Sequence, residues 1–460
     1  MSRAFFRRVM AVLICAQLAM PSGCHRNARS QKDPAEAFDG YADLPGLQAT
    51  HHHQLKAEYA MLVAERATPK LLDQDAGTVF GEDNSSNLVN LLSEQFNSSA
   101  VEYGISRTDR IFDGDYLQWD SVNLMQASQF ARQYEKQRSA LREALRDGNV
   151  FVRIELSRGV GMNIDFIDAA RLYHRLEMFH AADQVVSGDL NGAIGSLQVM
   201  FLLQEKLGAA QHVVARLSAA KCRRESQSLV QAIASHASVA PEHLQSLRQM
   251  FAGQLTAWPD DSRAWVGDRA QGLHMYEMIR DGHLMSLLTE EEFVKHTTDR
   301  SLEAFLAAAD RSIDSDEYFY LRWMRSLIDD CDRPYHEREA TFDRLRNELK
   351  ELQQSPEYPL IADRLLLKGI QQGQQQQALD RAWVEAWTNA LTLAVEERSP
   401  PFATNPLTGR SYNIAFENGN VIVSRIDPSD IDARVVVPLH RTERVSRGLP
   451  LLPPISNQPR

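Results

Sequence analysis

The sequence is poor in cysteine and has no apolar run long enough to cross a bilayer. Its four cysteines are Cys15, Cys24, Cys222 and Cys331. So few exclude a disulfide-built scaffold and leave too few thiols in the body for a four-cysteine zinc site. No stretch reaches the roughly 20 apolar residues of a membrane-spanning helix. Basic runs are also missing, and 50 Lys+Arg against 61 Asp+Glu give a formal charge of −11. Such a chain does not read as a nucleic-acid binder. His-Glu-x-x-His, Lys-Thr-Gly and the spaced acidic loop of calcium-binding hands are absent as well, which removes the common zinc-hydrolase, penicillin-binding and calcium-hand readings. What remains is 460 residues, 43% of them hydrophobic, enough to bury a large core unaided. Cys222 and Cys331 therefore read as buried thiols, with one disulfide as the alternative in an oxidising envelope.

The N-terminus has its own pattern. Arg3, Arg7 and Arg8 precede an apolar run of twelve residues, Val9 to Met20. As a helix that run covers only about 18 Å, which suits a signal h-region and not a membrane span. Ser22, Gly23 and Cys24 follow, with Pro21 before them. This stretch resembles the lipobox of bacterial lipoproteins, with Pro21 where leucine is usual. The resemblance implies that the Cys24 thiol takes a diacylglycerol and becomes the mature N-terminus. The expected address is then the cell envelope, lipid-anchored to a membrane, with the body in the periplasm or outside. Loss of residues 1–23 would remove three arginines and move the formal charge from −11 to −14.

The rest divides by pattern. Residues 1–23 are the expected signal peptide and 24–53 a polar tether. Residues 54–150 form an N-terminal helical region, with a loop expected at 73–87 and one helix from Ser121 to Leu145 ended by Gly148. Residues 151–330 form a central domain of helical hairpins. Ala169, Leu172, Leu176, Phe179 and Ala182 share one helical face there. Gly188-Asp189 breaks the chain, Asp189 caps a second helix, and Pro241 opens another. Thr289 with Glu292 predicts a capping box. Residues 331–399 hold C-terminal helices, including a long one from Leu360 to Glu397 that Gly369 and Gly373 weaken. Residues 400–442 read as a small β module. Asn418-Gly419 is a strong hairpin signal that would pair Phe416 with Val421 and Ile414 with Val423, with Arg434–Val437 as a third strand. Residues 443–460 are a Pro-rich tail. The expected fold class is mainly α, antiparallel helical hairpins in an irregular array or a bundle, with a C-terminal β-hairpin or meander.

Asn405-Pro406-Leu407-Thr408-Gly409-Arg410-Ser411-Tyr412 resembles the terminal Asp-Pro-Phe-Thr-Gly-Lys-Pro-Leu-x-Tyr motif of a group of uncharacterised exported bacterial helical-hairpin proteins. Asn405 replaces the Asp and Ser411 the Pro. The long helix plus hairpin is also similar to the end of type II secretion major pseudopilins. The first resemblance implies no known activity. The second implies a shared structural module without filament assembly.

Possible chemistry is sparse. Ser218-Ala219-Ala220-Lys221 matches Ser-x-x-Lys, which would place an amine one helical turn from a hydroxyl; two surface positions are the favoured reading. His174, His180, His212, His236 and His243 gather in the central region without the i, i+4 spacing of helical zinc ligands. His51-His52-His53 reads as a solvated helix start. Asp109, Asp113, Asp115 and Asp120 surround Gly114 and read as a solvated loop. Gln374–Gln377 reads as an exposed stretch. No catalytic, cofactor-binding or metal-ligating residue is assigned, and Cys24 is the one site named, for lipid attachment. Two functions are expected: a non-enzymatic envelope lipoprotein whose hairpins offer a groove to an envelope protein or peptide, or, second, an envelope hydrolase with a site assembled from distant residues.

Overall fold

The computed structural model describes residues 44–80, 86–111, 121–162, 164–284, 302–355, 357–396 and 399–439. Cys24, the signal segment, most of the tether, Asp113, Asp115, Asp120, the Thr289–Glu292 box and the tail from 440 lie outside the described residues, as does the side chain of Asp109.

The chain is mainly α-helical with a small antiparallel sheet near its C-terminus. The described residues begin with α1 (Pro45–Ala49), α2 (His53–Ala64) and α3 (Pro69–Phe80). The tether expectation of 24–53 thus fails at its end, where Leu47 is buried and α1 belongs to the body. His52 caps α2, its Nδ1 accepting from the Leu55 N–H. The loop expected at 73–87 is also corrected, since α3 runs to Phe80. Leu72 packs with Leu156, Met162 and Ala270, and the Asp73 carboxylate accepts the N–H groups of Leu156 and Ser157 at 2.8 Å. Tertiary contacts override the local turn chemistry there.

Next come α4 (Leu88–Gln95), α5 (Ser98–Ile111), α6 (Ser121–Gln133) and α7 (Glu135–Arg146). The single helix expected over 121–145 is split at Tyr134, whose ring packs on Phe130 at 5.3 Å and Phe96 at 6.0 Å. Gly148, at φ 78°, follows α7 as expected.

The centre is α8 (Phe166–Val186), α9 (Leu190–Gly208), α10 (Val213–Ala234), α11 (Pro241–Thr256) and α12 (Asp261–Arg280). Gly188 takes φ 81°, which only glycine adopts freely, and Asp189 accepts the Gly192 N–H at 2.9 Å to cap α9. Short breaks make α8–α9 and α9–α10 antiparallel neighbours, so α8 and α10 run parallel and touch. Then follow α13 (Leu302–Asp329), α14 (Tyr335–Leu352), α15 (Leu360–Leu365), a π turn at Leu366–Ile370 and α16 (Gln371–Val395). The long helix expected from Leu360 is therefore interrupted, and the interruption contains Gly369. Gly373 serves packing instead, since a Cβ there would meet the Trp265 ring at 2.5 Å.

The glutamine run is mostly buried, not exposed: Gln374 is 0% and Gln377 1% accessible, and Gln375 is half-buried. Gln374 donates to the Leu327 carbonyl and Gln377 accepts from the Trp265 indole N–H at 2.9 Å. Beside it Arg223 binds Asp380 through two nitrogens, at 2.9 and 2.7 Å. Arg216 reaches Asp261 at 3.0 Å, and both guanidiniums lie over the Trp258 ring. Gln374, Gln377, Arg223 and Arg216 each make at least one hydrogen bond, while Gln377 Nε2 and Arg216 Nε are buried without one.

Strands β1 (Asn413–Glu417), β2 (Asn420–Ser424) and β3 (Arg434–Pro438) form the sheet in that order. Ile414 pairs with Val423 and Phe416 with Val421, as expected. Asn418 and Gly419 take φ 51° and 75°, the signs a type I′ turn requires. Val421, Val423, Val435 and Val437 are fully buried where the sheet packs on α16 and α10. One hydrophobic cluster runs from Leu44 to Val437. Asn405 explains the module's entry. Its amide donates to the carbonyls of Arg425 and Ile426 and its oxygen accepts the Leu407 N–H. An Asp would present a carboxylate to two carbonyls, so the asparagine fits this chain.

Candidate functional site

Among the described residues, two polar clusters and a cavity bring together titratable groups from distant helices. The first cluster lies between α8 and α10. Glu225 receives Arg175 at 3.3 Å and has Lys221 Nζ and His174 Nδ1 each at 3.8 Å. Burial alone would raise this carboxyl, but Arg175, then Lys221 and His174, hold it down at about 2. His174 is fully buried, which pushes its imidazole to about 4 and keeps it neutral near pH 7.

His174 Nε2 also meets Ser226 Oγ at 2.9 Å. Serine, histidine and glutamate thus stand together, a grouping that sequence reading missed because Ser226 and His174 are 52 residues apart. Its hydrogen bonds do not suit nucleophilic catalysis. The Ser226 hydroxyl donates to the Cys222 carbonyl at 2.9 Å and accepts from Gln204 at 3.2 Å. Its proton is therefore committed to the backbone, leaving the imidazole N–H to donate, and both residues are sealed from solvent.

The expected surface positions Ser218 and Lys221 also change. Ser218 is buried at 2% exposure, because α10 packs against α8, α9, α11, α12 and α16 at once. Lys221 is partly exposed, and burial followed by Arg171 lowers its amine to about 8. The other histidines disperse. His236 and His243 each accept a nearby backbone N–H. His212 is buried and His180 half-buried. Among the described residues, no group of three or more His, Cys, Asp or Glu side chains could hold a metal ion. Cys222 and Cys331 are both free and buried, and burial pushes each thiol up to about 12.

The second cluster is centred on Arg280, at the end of α12. Its guanidinium reaches Glu277 at 3.3 Å, Asp314 at 2.7 Å and Glu317 at 2.5 Å. Glu277 in turn accepts the N–H groups of Gly46 and Leu47 at 2.8 Å, capping α1 from another helix. Thr50 donates to Asp314. Three carboxylates share one cation. Burial pushes Glu317 up to about 8 against the pull of Arg280, and its Oε1 has no hydrogen-bond partner. Nearby Asp316 caps α15 in the same remote way, accepting from Ile361, Ala362 and the Tyr276 hydroxyl. Beside this cluster lies a cavity of about 350 Å³ lined by Gly46, Ala49, Thr50, Ile279, Arg280, Ile313 and Asp314. None of these residues carried a sequence signal. The nearest hint is the i, i+3 spacing of Glu277 and Arg280, which any solvated helix shows.

No family model, curated protein or solved structure matches this chain.

Proposed function

We propose that this chain is a lipid-anchored envelope protein that acts as a helical scaffold for another envelope protein or peptide. The observation that carries the reading is how its reactive side chains are used. Glu277, Asp316 and Asp73 cap helices of the same chain, and Ser226 and His174 beside Glu225 are sealed inside the packing. A few large apolar side chains face outward. Val122 and Met125, one turn apart on α6, are 51% and 54% exposed, and Tyr103 on the adjoining α5 is 57% exposed. Exposed side chains of this kind, on a body of packed hairpins, suit partner docking. The short h-region with Ser22-Gly23-Cys24 supports the address, and the motif at 405–412 supports kinship with exported helical-hairpin proteins.

Affinity capture from the protein's own envelope fraction tests the scaffold. A defined partner should be retained by the native chain and lost when Tyr103, Val122 and Met125 are changed to Ser. Turnover of ester, peptide or glycoside substrates that vanishes in Ser226→Ala or His174→Ala would overturn the scaffold in favour of the hydrolase. For the address, Cys24→Ala should leave the chain uncleaved at this site or release it to the soluble fraction. A mature N-terminus found elsewhere and unmodified by mass spectrometry would refute the lipid anchor.

A further inference from the structure

We infer that the cavity between α1, α12 and α13 binds a primary ammonium group carried on a short alkyl chain. Charge decides the sign of the ligand. Arg280 is the cation on the cavity wall, and its guanidinium is shared by Glu277, Asp314 and Glu317. Even with Glu317 holding its proton, as burial favours, Glu277 and Asp314 set two negative charges against one positive. The cavity also lies at a helix end. Ile279 and Arg280, which line it, are the last two residues of the 20-residue α12. There the aligned peptide dipoles present their negative end, which favours a cation. An anion would be opposed by both the carboxylates and the helix end.

A reachable acceptor is in place. The Asp314 side chain keeps 33% of its surface, against 13% for Arg280. One Asp314 oxygen accepts from Arg280 and the other from Thr50. A carboxylate has about four acceptor sites, so Asp314 can take an ammonium without giving up either partner. Glu317 follows Ile313 and Asp314 by one turn on the same face of α13. It is fully buried and its Oε1 has no hydrogen-bond partner. A buried polar atom in that state is costly, and a positive charge is what this face of α13 lacks. The remaining wall suits the alkyl part. Ala49, Ile279 and Ile313 line a volume of about 350 Å³, which is within the range of small-ligand sites. An ammonium at Asp314 would lay its chain along these apolar side chains. Neither α5 nor α6 contributes to the cavity, so the inference is independent of the scaffold reading.

The probe is n-butylammonium, titrated against the full chain in non-ionic detergent and followed by ligand-observed NMR. It should bind saturably, and butyrate and n-butanol should not. Asp314→Asn should weaken binding about tenfold or more, the loss of one charge-assisted hydrogen bond. Ala49→Leu alters no charge and should also weaken binding, by filling the cavity; it decides the matter if Asp314→Asn fails to fold. Asp168→Asn, at another exposed carboxylate that pairs with an arginine, should change nothing. N-acetyl-lysine methylamide separates the sources of the ammonium. Competition with n-butylammonium assigns the site to the lysine side chain of a peptide, and binding of n-butylammonium without competition assigns it to a free amine. Absence of saturable binding, n-butanol binding as well as n-butylammonium, or unchanged affinity in Ala49→Leu would overturn the inference.

Discussion

The two polar clusters are inverse images of each other. Around Glu225 a single carboxylate meets Arg175, Lys221 and His174. Around Arg280 a single guanidinium meets Glu277, Asp314 and Glu317. In each the minority charge stays ionised and a surplus group shifts toward neutrality, Lys221 in the first and Glu317 in the second. Glu225 is held at about 2 while Lys221 falls to about 8. At the other cluster Glu317 rises to about 8. Buried charge is tolerated only near balance, and the lone ion is the group each cluster can least lose.

The largest effect should follow removal of such an ion. Arg280→Met leaves three carboxylates without their cation and should destabilise the protein by about 3–5 kcal/mol. Urea unfolding measures this, and adding Glu317→Gln should recover part of the loss. An unchanged midpoint would mean that the three carboxylates do not depend on Arg280.

The clusters should also set opposite limbs of the pH–stability curve. Glu317 rises from 4.5 to about 8 on folding, so the folded chain holds its proton more tightly. Its contribution is present below about pH 4.5 and is lost as pH rises through about 8. Asp268, raised by burial to about 7, and Asp316, raised to about 6, act in the same direction. Glu225 falls from 4.5 to about 2. Its contribution is present above about pH 4.5 and is lost as pH falls through about 2. Thermal unfolding across pH should show Glu317→Gln flattening the upper part of the alkaline limb and Glu225→Gln flattening the acid limb. Either variant acting on the other's limb would break the contrast.

The smallest effect is a control outside both clusters. Gly419→Val places a β-branched residue at φ 75° and should cost roughly 1–3 kcal/mol. Circular dichroism should show helix content unchanged and both pH limbs in place. An unaltered melting curve would show that the turn tolerates the substitution without strain.

Local rules explain what was legible beforehand. The hairpin at Asn418-Gly419, its register, the Gly188-Asp189 break and the Pro241 helix start each depend on residues within a few positions. Backbone sterics and caps act at that range. The mainly α class followed from apolar spacing, which is also local. Where expectation failed, a distant partner had replaced the local one. Asp73 lies in a helix because it caps Leu156 and Ser157. Gln377 and Gln374 are interior because the Trp265 indole and the Leu327 carbonyl bond them.

The polar clusters belong wholly to the tertiary structure. Glu225 and Arg280 look in sequence like any charged residue on a helix. Their environment depends on which helices pack against them, and charge balance in a low-dielectric interior is a property of the assembled neighbours. By itself the sequence determined the helices, the hairpin and the expectation of an envelope address. The packing decided which carboxylates, arginines and histidines would be held inside, because only burial makes their partners matter.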